Sequence, residues 1–183
     1  VNVAMAERPP RVLFSSFRNR ATRMASYEVT TDPTRFDVDA IHAFLSRAYW
    51  SVNIPRSVIE KAIAHSLCFG VLCDGAQVAF ARVITDRSTF AYLADVYVHE
   101  EHRGQGLSKR MMEAIVAHPD LQGLRRWLLA TRDAHGLYAQ FGFTPLANPD
   151  RLMEIVRVDP YGARSGAAAP AAPAPPAPPA PPA

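Results

Sequence analysis

Two β-rich runs meet at an Asp-Gly pair, and that junction limits the possible folds of the chain more than any other feature. Phe69-Gly-Val-Leu-Cys and Gln77-Val-Ala-Phe-Ala-Arg-Val-Ile flank Asp74-Gly75. A two-residue reversal needs positive φ, which glycine tolerates, so the pair predicts a tight antiparallel hairpin. A third β-rich run, Phe90 to Val98, follows the polar turn Asp86-Arg-Ser. The period then changes. Across residues 104–118 the apolar positions Leu107, Met111, Met112, Ile115 and Val116 form a helical stripe, ended by Pro119. Residues 126–131 read as a buried strand, Asp133 as the cap of a short helix over 134–141, and 153–158 as a last strand. Ahead of the hairpin come a short strand at 27–31 and a helix capped by Asp37 or Asp39, with Ile41, Phe44, Leu45 and Ala48 inward. A second helix opens at Pro55, with Val58, Ile59, Ala62 and Ile63 as its stripe. The order β-α-α-β-β-β-α-β-α-β is a mixed α/β arrangement: an antiparallel meander, then a β-α-β crossover.

The ends do not belong to this pattern. Residues 166–183 contain only Gly, Ala and Pro and hold eight of the 16 prolines. Proline lacks the N–H that helices and ladders use, so 161–183 is expected to be a disordered Ala/Pro-rich tail. Residues 1–25 carry five arginines against Glu7, leaving 15 basic and 16 acidic residues from 26 onward. The excess positive charge thus lies in a basic, disordered N-terminal extension, which reads as a leader ahead of Met24 in preference to an organelle transit peptide. The folded domain, 26–160, is close to neutral, which argues against a nucleic-acid partner. No apolar run is long enough for a membrane helix. Cys68 and Cys73 stand an odd number of residues apart, so on one strand they face opposite sides and stay unpaired. The spacings fit no metal site, and the expected compartment is cytoplasmic.

Chemistry concentrates where the third β-rich run enters the helix: Asp95-Val-Tyr-Val-His-Glu-Glu-His-Arg-Gly-Gln-Gly-Leu-Ser-Lys. The N–H groups of a helix's first turn lack internal acceptors, and the macrodipole adds positive potential there. Gly104 and Gly106 let a bulky anion approach the backbone, and Arg103 and Lys109 add formal charge. The turn is an anion cradle suited to a pyrophosphate. A dinucleotide fingerprint would need glycine where Lys109 stands, and the Gly-Lys-Ser/Thr phosphate loop is absent.

Val98-His-Glu-Glu-His-Arg-Gly-Gln-Gly-Leu-Ser resembles the acetyl-CoA loop of the GNAT superfamily (GCN5-related N-acetyltransferases), Arg/Gln-x-x-Gly-x-Gly/Ala, with Glu101 at the first position as a departure. Ala134-His-Gly-Leu-Tyr-Ala-Gln-Phe-Gly-Phe is similar to the family's second motif, with Thr131 where relatives often carry Asn. The two motifs stand in family order, and the likeness spans about residues 26–158.

The resemblance implies an enzyme that transfers an acetyl group from acetyl-CoA, with no metal, to a primary amine of a small molecule or peptide by direct attack. Its implied cofactor-binding residues are Val96, Tyr97, Val98, Arg103, Gly104, Gln105, Gly106, Leu107 and Ser108. Tyr138 matches the general acid for the thiolate leaving group, a phenol with an ordinary pKa of about 10. Asp95, expected on one face with Leu93 and Tyr97, is the candidate base or substrate anchor, with His135 and Asp133 as alternatives. The aromatic segment Tyr49-Trp50, with Asn53 and Arg56, falls where the family selects its acceptor. A homodimer is compatible with this reading. The alternatives are a non-catalytic acyl-CoA-binding or regulatory module of the same fold and a proline-rich interaction protein.

Overall fold

A computed structural model describes residues 25–157 and 159–162. The N-terminal extension and the Ala/Pro tail expected from the sequence lie outside these residues, apart from Ala25, Tyr161 and Gly162. In chain order the elements are β1 (Tyr27–Thr30), α1 (Val38–Leu45), α2 (Arg56–Ala64), β2 (Leu67–Cys73), β3 (Ala76–Thr85), β4 (Phe90–Val98), α3 (Leu107–Val116), β5 (Arg126–Leu129) and α4 (His135–Ala139). Asp37, not Asp39, caps α1, its carboxylate accepting from the Ala40 N–H at 2.9 Å. Asp39 pairs instead with Arg56 at 2.8 Å. At the hairpin both turn residues take positive φ, 48° for Asp74 and 92° for Gly75, the geometry that matches strand twist. Asp86 organises the next turn by accepting from the N–H groups of Ser88, Thr89 and Phe90 and from the Thr89 hydroxyl. Those bonds hold its carboxyl well below the usual carboxylate range.

The sheet runs β1-β2-β3-β4-β5, antiparallel up to β4, with β5 parallel to β4. Period-2 alternation sends each strand's side chains to two separate cores. On one face Val71, Val83, Leu93 and Val98 pack with Leu107, Met111, Met112 and Ile115 of α3 and with Tyr138 of α4. On the other, Phe80 and Tyr97 pack with Ile41 and Leu45 of α1 and Ile59 of α2. Tyr97 stacks on Phe44 with centroids 3.8 Å apart, and its hydroxyl accepts from the Gln77 amide at 3.3 Å. The helices therefore clamp the sheet from both sides.

Two expectations need correction. The last strand does not form over 153–157; Val158 lies outside the described residues. An extended segment becomes a strand only when a neighbour supplies a ladder, and here Met153 is 99% and Ile155 93% exposed. Asp133 does not cap α4. The Thr131 hydroxyl accepts from the Ala134 N–H at 3.0 Å, and Asp133 lies exposed beside Arg132. The loop histidines pack against rings: His99 meets Phe44 and Tyr97 edge-on, His102 lies 3.1 Å from the Tyr27 hydroxyl, and His118 packs edge-on against Phe69. Both cysteines are free thiols, with Cys68 buried and its pKa pushed up to about 12, first by desolvation.

Candidate active site

β4 is the strand on which the site is built, and its geometry departs from simple alternation at Asp95. The register with β3 runs Ala79↔Val98 and Phe80↔Tyr97, then resumes at Arg82↔Ala94. Asp95 and Val96 therefore oppose Ala81 alone, which is a β-bulge, and Asp95 takes φ 55°. The extra residue moves the side chains that follow to the opposite faces. Leu93 and Val98 face α3, whereas Tyr97 and Asp95 face α1 and α2. The expectation that Leu93, Asp95 and Tyr97 share one face fails for this reason.

A bulge also bends its strand. β4 and β5 pair only from Phe90↔Arg126 to Leu93↔Leu129, and past that point they part. The stretch through Val96, Tyr97 and Val98 is left without a ladder on its β5 side. Val96 and Val98 turn toward the α3 core, and the Tyr97 side chain is buried in the other, so what these residues offer on the β5 side is their backbone.

Beyond Val98 the chain makes one 3-10 turn, Glu100–His102, and enters α3 through Arg103, Gly104, Gln105 and Gly106. Gly104 and Gly106 have φ 75° and 71°, conformations costly for any residue with a Cβ. Nothing lies within 4 Å of where a Cβ would stand at either position, so the space in front of the turn is open. Gly106 is the α3 N-cap with no side chain bonding to the first turn, and the first intrahelical bond is Arg110 N–H to Gly106 C=O at 3.0 Å. The N–H groups of Leu107, Ser108 and Lys109 are consequently directed at the opening without acceptors. Leu107 anchors the turn, 2% exposed. The Arg103 guanidinium donates to the Val98 carbonyl at 3.2 Å, which fastens the turn to the end of β4. This donor set fits an anionic, phosphate-bearing group.

Two further parts complete the site. Tyr138 is 8% exposed, and its hydroxyl donates to no group among the described residues. Desolvation raises its pKa above the tyrosine value of 10.0, with Tyr49 and Asp133 adding to the shift. On the opposite face of the sheet, one Asp95 oxygen accepts from Arg82 Nε at 2.8 Å and the other from Trp50 Nε1 at 3.2 Å. Arg82 also donates to the Ser66 hydroxyl at 3.2 Å. Asp95 was expected among apolar groups and instead sits in a half-buried ion pair. Its partner was missed, although Arg82 is the one charged residue in an otherwise apolar strand. The loop between α1 and α2 spans both sides. Trp50 meets Tyr49 edge-on at 4.9 Å, and Tyr49 lies under the Arg132 guanidinium at 4.0 Å and within electrostatic reach of Tyr138. No group of three or more His, Cys, Asp or Glu side chains among the described residues could hold a metal ion.

Comparison with known proteins agrees with this architecture. The acetyltransferase (GNAT) domain family matches residues 64–145. A candidate acetyltransferase of Gibberella zeae is 34% identical over 137 residues, covering 62% of this chain and 76% of that protein. A crystal structure of a candidate acetyltransferase of the GNAT family from Xanthomonas campestris pv. campestris is 55% identical, covers 74% of this chain and 96% of its own, and superposes with TM-score 0.73. A further neighbour, a candidate acetyltransferase from Clostridium acetobutylicum with acetyl-CoA, shares the fold at 15% identity and TM-score 0.53, over 73% of this chain and 96% of its own. On these grounds the chain belongs to the GNAT superfamily of acetyltransferases.

Proposed function

We propose that the chain transfers an acetyl group from acetyl-CoA to a primary amine of a small molecule or peptide. The observation that carries this reading is a pairing: an open turn of acceptor-free N–H groups at α3, and a protonated phenol with a free hydroxyl at Tyr138. When bound, acetyl-CoA supplies an acyl carbon activated by its thioester. The backbone of Arg103, Gly104, Gln105, Gly106, Leu107 and Ser108 would hold its pyrophosphate, and the unladdered backbone of Val96, Tyr97 and Val98 would hold its pantetheine arm. Tyr138 donates a proton to the departing thiolate. Its raised pKa keeps the phenol protonated throughout the neutral range.

Asp95 is the acceptor-side carboxylate in this reading. Arg82 and Trp50 fix both of its oxygens, so it can orient an incoming ammonium and take up the released proton through water. The two bonds fix the direction of the carboxylate, which suits it to orienting the amine.

The test is thiol release from acetyl-CoA across a panel of amines, run beside Tyr138→Phe. The expected result is release that depends on a particular amine and falls in the variant by about 100-fold or more, the usual scale for losing a general acid. The loss should lie in kcat, with acetyl-CoA binding unchanged by calorimetry. Binding of acetyl-CoA with no release for any amine would favour the non-catalytic module, and failure to bind would overturn the cofactor assignment.

A further inference from the structure

Under α1 and α2, on the face of the sheet away from α3, lies a pocket of about 200 Å3. No residue of the 103–108 turn, of β5 or of α4 lines it. Leu45 of α1, Ile59 and Ile63 of α2 and Phe80 of β3 give it apolar walls, and Asp95, Arg82, Trp50 and Ser51 supply its polar groups. Sites for drug-sized ligands hold roughly 300–1,000 Å3. This one has room for a single ring or a branched chain, and a peptide would not fit inside it.

The polar groups are already committed. Arg82 and Trp50 bond to Asp95, Arg82 also donates to the Ser66 hydroxyl, and the Ser51 hydroxyl donates to the Leu45 carbonyl at 2.7 Å. Carboxylate oxygens accept more than one bond each, so Asp95 retains capacity for one ammonium. A second ammonium would find no other acid in the lining and would be repelled by Arg82. The hydroxyls of an amino sugar would lose water and gain few partners, which is unfavourable. What remains is an amine head at Asp95 and an apolar body against the helices.

One wall comes from the far end of the described chain. Tyr161 lines the pocket from a turn in which the Gly162 N–H donates to the Asp159 carbonyl at 3.3 Å. Asp159, Pro160 and Gly162 are exposed, as is the extended segment 152–157 before them, whereas Tyr161 is half-buried. The segment thus reaches the pocket through this ring. Tyr161 lies beyond the matched family domain, which ends at residue 145, so resemblance alone assigns it no role.

We propose that Tyr161 is a specificity-determining wall of the acceptor pocket, and that the acceptor is a compact monoamine with an apolar body, an arylalkylamine or a branched alkylamine. For the reaction this rests on the acetyl-transfer reading above; the choice of amine rests on the pocket.

Calorimetric titration of the full chain with phenethylamine, diaminobutane and glucosamine, each with and without CoA, tests this. CoA carries no acetyl group, so the titration reads the pocket without turnover. Phenethylamine is expected to bind at least about 10-fold more tightly than the other two. Tyr161→Ala should weaken phenethylamine by about 10-fold and admit the bulkier diphenylpropylamine, reversing the parent's order, and Tyr161→Phe should keep that order. Circular dichroism verifies that both variants fold. Equal binding of the three amines, or binding of none, overturns the substrate class. A Tyr161→Ala variant that shifts every amine by the same factor, in either direction, overturns the role of Tyr161. Phenethylamine binding with no thiol release from acetyl-CoA would sink the transferase reading and leave the pocket's standing; release that prefers diaminobutane or glucosamine would do the reverse.

Discussion

Asp95 and Tyr138 stand on opposite sides of the sheet and differ in electrostatic environment. Tyr138 is desolvated and keeps its proton, whereas Asp95 faces a guanidinium and an indole N–H. Replacing Asp95 with Asn preserves size and the Trp50 bond but leaves Arg82 without its counter-charge. The expected outcome is a rise in KM for the amine of roughly 10-fold or more, on the scale of a half-buried charged bond worth about 1.5–3 kcal/mol, with acetyl-CoA binding unaffected. A fall confined to kcat, with the acidic limb of the pH–rate profile abolished, would instead assign Asp95 as the base. Of these two residues the sequence revealed Tyr138 more completely, because a motif in a short helix fixes its place. For Asp95 the type and the strand were legible, but its face and partner were not. One inserted residue in β4 reverses the alternation from which faces are read, and nothing local in Asp95-Val-Tyr announces the insertion.

Among the elements, the turn into α3 combines strain with vacancy. Gly106 has φ 71° with open space ahead of it, so Gly106→Ala meets no clash and costs only the left-handed penalty, about 1–2 kcal/mol. A modest fall in melting temperature is expected, together with a disproportionate loss of acetyl-CoA affinity as the turn relaxes and its N–H groups diverge. Equal losses in the two measurements would mean that the turn serves the fold alone. This element was readable because glycine spacing and the change of period coincide at one place. The caps were less so: Asp37 does work that the sequence left open between two candidates, and α4, where Asp133 was expected, has no capping side chain. Several oxygen-bearing side chains stand near each helix start, and small differences in backbone direction decide which one reaches the N–H. The strand expected at 153–158 illustrates a further limit. Its composition is right for a strand, but pairing is a property of what lies beside it, and no described residue pairs with it.

For the molecule as a whole, the parting of β4 from β5 carries a kinetic consequence. On the proposed reading acetyl-CoA would lie on the α3 side of the sheet, and the pocket bounded by Trp50, Arg82 and Asp95 lies on the other. Two reactants that enter from opposite faces need not wait for each other to leave. Cys68 is buried, with its thiol pKa near 12, so it is no candidate for a waystation that holds the acyl group between visits. Initial-rate double-reciprocal plots should therefore intersect, the signature of a ternary complex, and a dead-end analogue of CoA should compete with acetyl-CoA but not with the amine. Parallel lines would require a covalent acyl-enzyme and with it a nucleophile on the path. The parting of β4 from β5 thus gives the proposed reaction two approaches, one from each face of the sheet.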